Sequence, residues 1–273
     1  MKKFGYVLSG GGARGFAHLG LLKLLEELKI KPAAIAGTSA GAIVGVLYAA
    51  GKGPEEILSL MKNNSYFGWG NLIWNKSGFF SMAMLQKLLK ETIAHDNFDA
   101  LKIPLFIATT DLNKGESVIF SEGELFQPVI ASASVPVVFE PVFMNDKILV
   151  DGGLLNNFPV EPLEPICDVI IGSYVNRMED GIAKTSVFRS FNIIERCFHL
   201  AIANSVYSKM NKCDVFIEAP LHAFDMFDVK QADNIFEIGY KTALQHKAEL
   251  EKLLEDPLNE NIPIQFFLKK QLI

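Results

Sequence analysis

Cysteine is scarce in this sequence. The three present, Cys167, Cys197 and Cys213, lie far apart and form no CxxC pair. That excludes a disulfide framework and a cysteine-rich zinc site, and it fits a reducing, cytoplasmic setting. Basic charge is short as well, with Lys and Arg at 26 against Asp and Glu at 31. Such a balance does not supply the basic face that a nucleic-acid backbone requires, so no nucleic-acid partner is expected. Long hydrophobic runs are missing too. The uncharged segment 35–50 is rich in Gly and Ala and falls short of the roughly 20 residues that span a bilayer. The N-terminus begins with Lys2 and Lys3, but the apolar stretch behind them is broken by glycines, Arg14 and His18, so no signal peptide is expected. No repeat, low-complexity tract or dividing linker is visible.

Apolar residues, by contrast, make up 49% of the 273 positions. That is enough for a sizeable core, and the expectation is one domain over residues 1–273. Residues 4–9 read as a buried strand, and glycines follow at once. Phe16, Leu19, Leu22 and Leu25 then recur at helical spacing. Residues 33–38 read as a second strand and 40–50 as a second helix. This order is a βαβ unit, which implies a parallel sheet. Further helices are expected from Pro54, from Ser81 as an N-cap, over about 188–210 and over about 232–254. Strands are expected at 103–110, 117–121, 142–144, 148–150, 168–175 and 214–217, with turns at Asn113–Gly115 and Asn145–Asp146. Residues 66–80 concentrate aromatic side chains without a clean period and read as a loop. They suit either a small packing cluster or a lid that touches a membrane surface.

Gly37–Thr38–Ser39–Ala40–Gly41 is a GxSxG sequence between a predicted strand and a predicted helix, the setting of a nucleophile elbow. The sharp turn exposes the serine hydroxyl near the positive helix end and leaves no room for side chains at Gly37 or Gly41. Gly10–Gly11–Gly12–Ala13–Arg14–Gly15 likewise joins a strand to a helix. Its backbone N–H groups suit an anion nest, a dinucleotide loop or an oxyanion hole. A dinucleotide loop wants a carboxylate at the end of the next strand, where this chain has Gly37–Thr38–Ser39. An anion nest beside an exposed serine is what acyl transfer needs.

The serine also needs a base. His18, His95, His199, His222 and His246 sit in no distinctive motif. Asp151 closes an apolar strand and is followed by Gly152 and Gly153, which leave space for close approach. A carboxylate in reach of a serine hydroxyl can take its proton directly. Asp111, Asn113, Asn145 and Asp146 match no calcium-loop pattern and read as turn residues, so neither a metal nor another cofactor is expected.

The order GGGxRG, then GxSxG, then DGG resembles the patatin-like phospholipase family. The resemblance covers a motif core of about 4–155, and the C-terminal helical part, about 188–255, has no comparable signature. It implies a three-layer α/β/α sandwich around a mostly parallel sheet. It also implies a Ser39–Asp151 dyad without histidine, an oxyanion hole from Gly10, Gly11 and Gly12, and support from Arg14, Gly37, Gly41, Gly152 and Gly153. Arg14 would orient the glycine loop or meet an anionic head group. The stretch from Ala131 to Pro136 also looks like the family's segment before the aspartate, although Val137 stands where the family usually has Gly. The implied substrate is a lipid acyl ester, met without a transmembrane helix and with peripheral membrane contact through residues 66–80. Two other readings stay open on sequence: a Ser–His–Asp esterase or acyltransferase, and a non-enzymatic phosphate- or nucleotide-binding protein. Oligomeric state is not readable.

Overall fold

Strand β1 (Phe4–Leu8) is buried along its whole length, and its alternate side chains feed two different cores. Phe4, Tyr6 and Leu8 face one core, and Val7 faces the other. This is the burial that a central parallel strand imposes, since both of its faces are covered. The computed structural model describes residues 2–62, 82–136, 138–178, 200, 202–226 and 228–255.

The other strands are β2 (Pro32–Thr38), β3 (Leu105–Asp111), β4 (Glu116–Phe120), β5 (Val142–Met144), β6 (Lys147–Asp151), β7 (Val169–Tyr174) and β8 (Val215–Glu218). They form one sheet in the order β5-β6-β3-β2-β1-β7-β8, with β4 also on β3. The β3-β2-β1-β7-β8 run is parallel, while β4, β5 and β6 pair antiparallel. One face is covered by α1 (Phe16–Glu27), α2 (Ala40–Ala49), α3 (Pro54–Lys62), α4 (Met82–Thr92), α5 (Phe126–Ser132), α6 (Ala232–Gln245) and α7 (Lys247–Glu255). The other face is covered by Phe158, Val160 and Leu163 together with Ile202 and Val206 of the helical residues 202–207. The expected three-layer α/β/α arrangement is therefore observed.

The register on β3 decides where the site forms. β4 pairs with residues 107–111 of β3, which occupies one edge of that strand. β2 pairs with residues 105–108 and β6 with 109–111, so both must use the opposite edge. β2 runs parallel to β3 and β6 antiparallel, so their C-terminal ends meet tip to tip. Thr38 stands opposite Ala108, and Asp151 stands opposite Thr109, the next residue along.

Two expectations need correction. The C-terminal helix is two helices, because at His246 the N–H bonds to Ala243 three residues back and the turn tightens. Helix α5 was not anticipated: it is seven residues long, apolar nearly all round and carries Pro128 in its first turn, so it shows no helical period. The aromatic segment 66–80, Ser81 and Val137 lie outside the described residues, as does most of the N-terminal half of the expected 188–210 helix.

Helix α1 meets α6 backbone to backbone. A methyl on Gly239 would lie 2.2 Å from the Ala17 carbonyl oxygen, and one on Gly20 would lie 2.3 Å from that of Phe236. Reciprocal glycines let the two helices touch, so a larger residue must push them apart. Gly239→Val is expected to destabilise the fold by about 1–3 kcal/mol, the usual cost of overpacking. Gly53→Ala is the matched control, since nothing lies within 4 Å of the added carbon. Thermal denaturation of the two variants checks this, and equal melting points would refute the close-packing argument.

Candidate active site

Ser39 sits between β2 and α2 with φ 53 and ψ −119. A non-glycine residue held there stores on the order of 1–3 kcal/mol of strain and persists only if its surroundings hold it. The Ser39 N–H donates to Ser132 Oγ at 2.8 Å, and Ser132 Oγ donates onward to the Ala108 carbonyl at 2.6 Å. The Ser39 carbonyl accepts the first helical bond, from Ile43 N–H at 3.0 Å. Just before the turn, Thr38 Oγ1 donates to the Asn156 carbonyl at 2.8 Å. Gly37 and Gly41 leave no room for a side chain. A methyl at Gly41 would stand 2.1 Å from the Leu8 carbonyl oxygen, and one at Gly37 would stand 2.6 Å from that of Gly41.

Asp151 ends β6. Its N–H donates to the Ser134 carbonyl at 2.9 Å. Its buried carboxylate accepts from Gly153 N–H at 2.7 Å. Burial raises its pKa from 3.8 to about 6, and polar interaction with the neighbouring Ser39 side chain and with Gly153 N–H holds it from rising further. Gly152 is needed because a methyl there would lie 2.2 Å from the Ala108 carbonyl oxygen. The short segment 132–134 thus grips both partners, Ser39 through the Ser132 side chain and Asp151 through the Ser134 carbonyl.

The glycine loop faces the same point. A methyl on Gly10 would lie 3.2 Å from Ser39 Cβ. Gly12 has φ +57, and its methyl would stand 2.2 Å from the Met226 carbonyl oxygen. One expectation changes here. The Gly10 N–H donates to the Asn157 carbonyl at 3.2 Å, so it is engaged rather than open. Gly11 and Gly12 donate to no backbone acceptor among the described residues. Arg14 braces the loop. Its Nε donates to the Phe224 carbonyl at 2.8 Å and its Nη1 to Asn176 Oδ1 at 3.3 Å, while Asn176 Nδ2 donates to the Gly10 carbonyl at 2.6 Å.

Among the described histidines, none stands between Ser39 and Asp151. His18 is fully buried, with Nε2 against the Ser9 carbonyl at 2.9 Å and Nδ1 against Ser173 Oγ at 2.7 Å. A carbonyl only accepts, so Nε2 carries the proton and Nδ1 accepts from Ser173. Burial lowers the ring to about 4, which keeps it neutral. His18 therefore fastens the strand below the glycine loop. His95 and His222 are exposed, His246 pairs with Glu249, and His199 lies outside the described residues. Asp111 behaves as a turn residue, its Oδ1 accepting from Asn113 N–H at 2.9 Å. No cluster of three metal-ligating side chains occurs among the described residues.

Asn156, Asn157 and Asn176 are not singled out by the sequence, and Ser132 and Ser134 enter it only within the Ala131–Pro136 stretch. The Asn156–Asn157 pair lies within six residues of Asp151, and that proximity was the available signal.

The family profile described as patatin-like phospholipase matches residues 6–164. An uncharacterised NTE family protein of Mycobacterium bovis is 32% identical over 181 residues, covering 65% of this chain and 50% of that protein. The lysophospholipase nte1 of Aspergillus fumigatus is 24% identical over 292 residues, covering 94% of this chain and 19% of that protein. The chain therefore spans half or less of the length of these relatives. The crystal structure of VipD from Legionella pneumophila superimposes with a TM-score of 0.50 at 16% identity, over 91% of this chain and 67% of that one, and so shares its fold. With its profile matched over more than half its length, the chain belongs to the patatin-like phospholipase family.

Proposed function

We propose that this protein is a lipid acyl-hydrolase in which Ser39 is the nucleophile and Asp151 the base. The observation that carries the reading is the meeting of Ser39, held at a strained strand-to-helix turn, with the buried Asp151 carboxylate at adjacent registers of β3, where the Ser39 side chain lowers the carboxylate pKa. Asp151 takes the hydroxyl proton as Ser39 Oγ attacks the ester carbonyl. The Gly11 and Gly12 N–H groups face the resulting oxyanion. A preorganised donor of this kind contributes roughly 3 kcal/mol at the transition state. The tetrahedral intermediate collapses, the leaving alcohol takes the proton from Asp151, and Ser39 is left acylated. Water then gives a proton to Asp151 and attacks the acyl carbon. The proton passes to Ser39 as the fatty acid leaves. The family and the fungal lysophospholipase relative support a phospholipid or lysophospholipid substrate.

Ser39→Ala is expected to abolish both hydrolysis of p-nitrophenyl acyl esters and labelling by a fluorophosphonate. Residual labelling at another serine would move the nucleophile elsewhere. The acid limb of the rate follows Asp151. The base must be ionised, so activity is expected to rise with pH through about 6 and to fall about tenfold per unit below it.

Asp151→Asn separates catalysis from folding. The folded value lies above the unfolded one, so between 3.8 and about 6 the folded state holds a proton that the unfolded state has released. Stability therefore falls as pH rises through that window, and the full penalty, up to about 3 kcal/mol, persists above it. Asn at this position escapes the penalty. The variant is expected to lose at least about 10³-fold in kcat while melting at or above the wild-type temperature near neutral pH, with the advantage shrinking towards pH 4. A variant that is inactive because it unfolds would show the opposite thermal shift.

A further inference from the structure

The site holds one polar side chain that the proposed chemistry leaves unused. Asn157 is buried, at 4% exposure, and its Oδ1 has no hydrogen-bond partner. Its Nδ2 occupies space that two loops leave open. A methyl at Gly10 would lie 2.7 Å from Nδ2, and one at Gly153 would lie 2.9 Å from it. The same Gly10 position lies 3.2 Å from Ser39 Cβ, and the same Gly153 position lies 2.9 Å from Asp151 Oδ1. Glycine at both places thus admits this amide beside the nucleophile and the base.

Oδ1 carries the desolvation cost of a buried acceptor without a partner, and Nδ2 donates to no acceptor among the described residues, so the placement of this amide calls for a reason. The resting carboxylate of Asp151 is not the reason, since it accepts from Gly153 N–H and from no atom of Asn157. The glycine loop is not the reason either, because the contact there is made by the Asn157 carbonyl, which takes the Gly10 N–H. A donor kept free beside a nucleophile fits a partner that exists only during the reaction.

We propose that Asn157 is a further catalytic residue, its Nδ2 donating to the oxyanion alongside Gly11 and Gly12 in place of the engaged Gly10. This rests on the Ser39 hydrolase reading. It makes the oxyanion hole a joint product of the first strand-to-helix loop and the segment behind Asp151.

The test uses the full chain with Asn157→Leu, which removes the donor at similar size, and Asn157→Ala, which removes it without adding bulk or charge. Kinetics on a p-nitrophenyl ester are combined with inhibition by an alkyl trifluoromethyl ketone, which forms a hemiketal oxyanion on the serine. Removing one such donor is expected to lower kcat by about 10²–10³-fold with KM within a few-fold of wild type. Affinity for the ketone should fall in parallel, and the acid limb near 6 should stay in place. A folded variant within about fivefold of wild-type kcat overturns the proposal. So does a loss of kcat with intact ketone affinity and a moved acid limb, which assigns Asn157 to positioning Asp151. If Asn157→Leu fails to fold by its thermal transition, Asn157→Ala alone decides by the same readings. A wild type that neither hydrolyses the ester nor forms the adduct overturns the hydrolase reading as well, whereas an active wild type matched by its variants overturns only the role of Asn157.

Discussion

Strand β3 has two edges and three neighbours, so two strands must share an edge. Those two are β2 and β6, which approach from opposite directions and stop at adjacent registers of β3. Neither can run further without colliding with the other. β2 turns into α2 at Ser39, and β6 turns into a short helical segment at Gly152. Two strand ends that meet in this way bring their terminal side chains together without any special loop. The carbonyl of Ala108, on the shared strand, accepts from Ser132 and lies where a methyl on Gly152 would collide. One β3 residue thus sets how closely both turns pack.

The second constraint is burial. Ser39 and Asp151 are 8% and 4% exposed, so each polar group needs a partner nearby. The serine N–H has Ser132, the aspartate N–H has Ser134, and the carboxylate has Gly153 N–H. These bonds hold a strained backbone and an unfavourable charge that the isolated elements would not keep. The site is accordingly less stable than its surroundings would be with neutral residues, which is the usual relation between function and stability at active sites.

What the sequence made legible was local. The spacing of GxSxG between a strand and a helix, and of DGG after a strand, encodes turns whose requirements are met within a few residues. The central strands and most helices were legible for the same reason, since period and apolar content are local properties. The contacts that complete the site are long-range. Ser132 reaches Ser39 across 93 positions, and Asn176 reaches Gly10 across 166. Three consecutive glycines do not reveal which N–H an Asn157 carbonyl will occupy, so the Gly10 donor looked open when it is not. The break at His246 was hidden because a tightened turn leaves the apolar period of both flanking helices intact.

In the proposed mechanism, burial also accounts for a base that does without histidine. A solvated carboxylate near pKa 3.8 holds a proton too weakly to take one from a serine hydroxyl at an appreciable rate. Withdrawing Asp151 from water raises it to about 6, close to the range where a histidine would act. The same withdrawal lowers the local dielectric, which strengthens each N–H aimed at a developing oxyanion. Basicity and oxyanion stabilisation therefore share one cause, and no imidazole is needed to supply the first. The buried imidazole near this region, that of His18, is instead kept neutral and fixed to Ser9 and Ser173 below the glycine loop. A histidine scan that found His18 important would be reporting on the shape of that loop, because the proton on the proposed pathway moves only between Ser39, Asp151, the leaving alcohol and water.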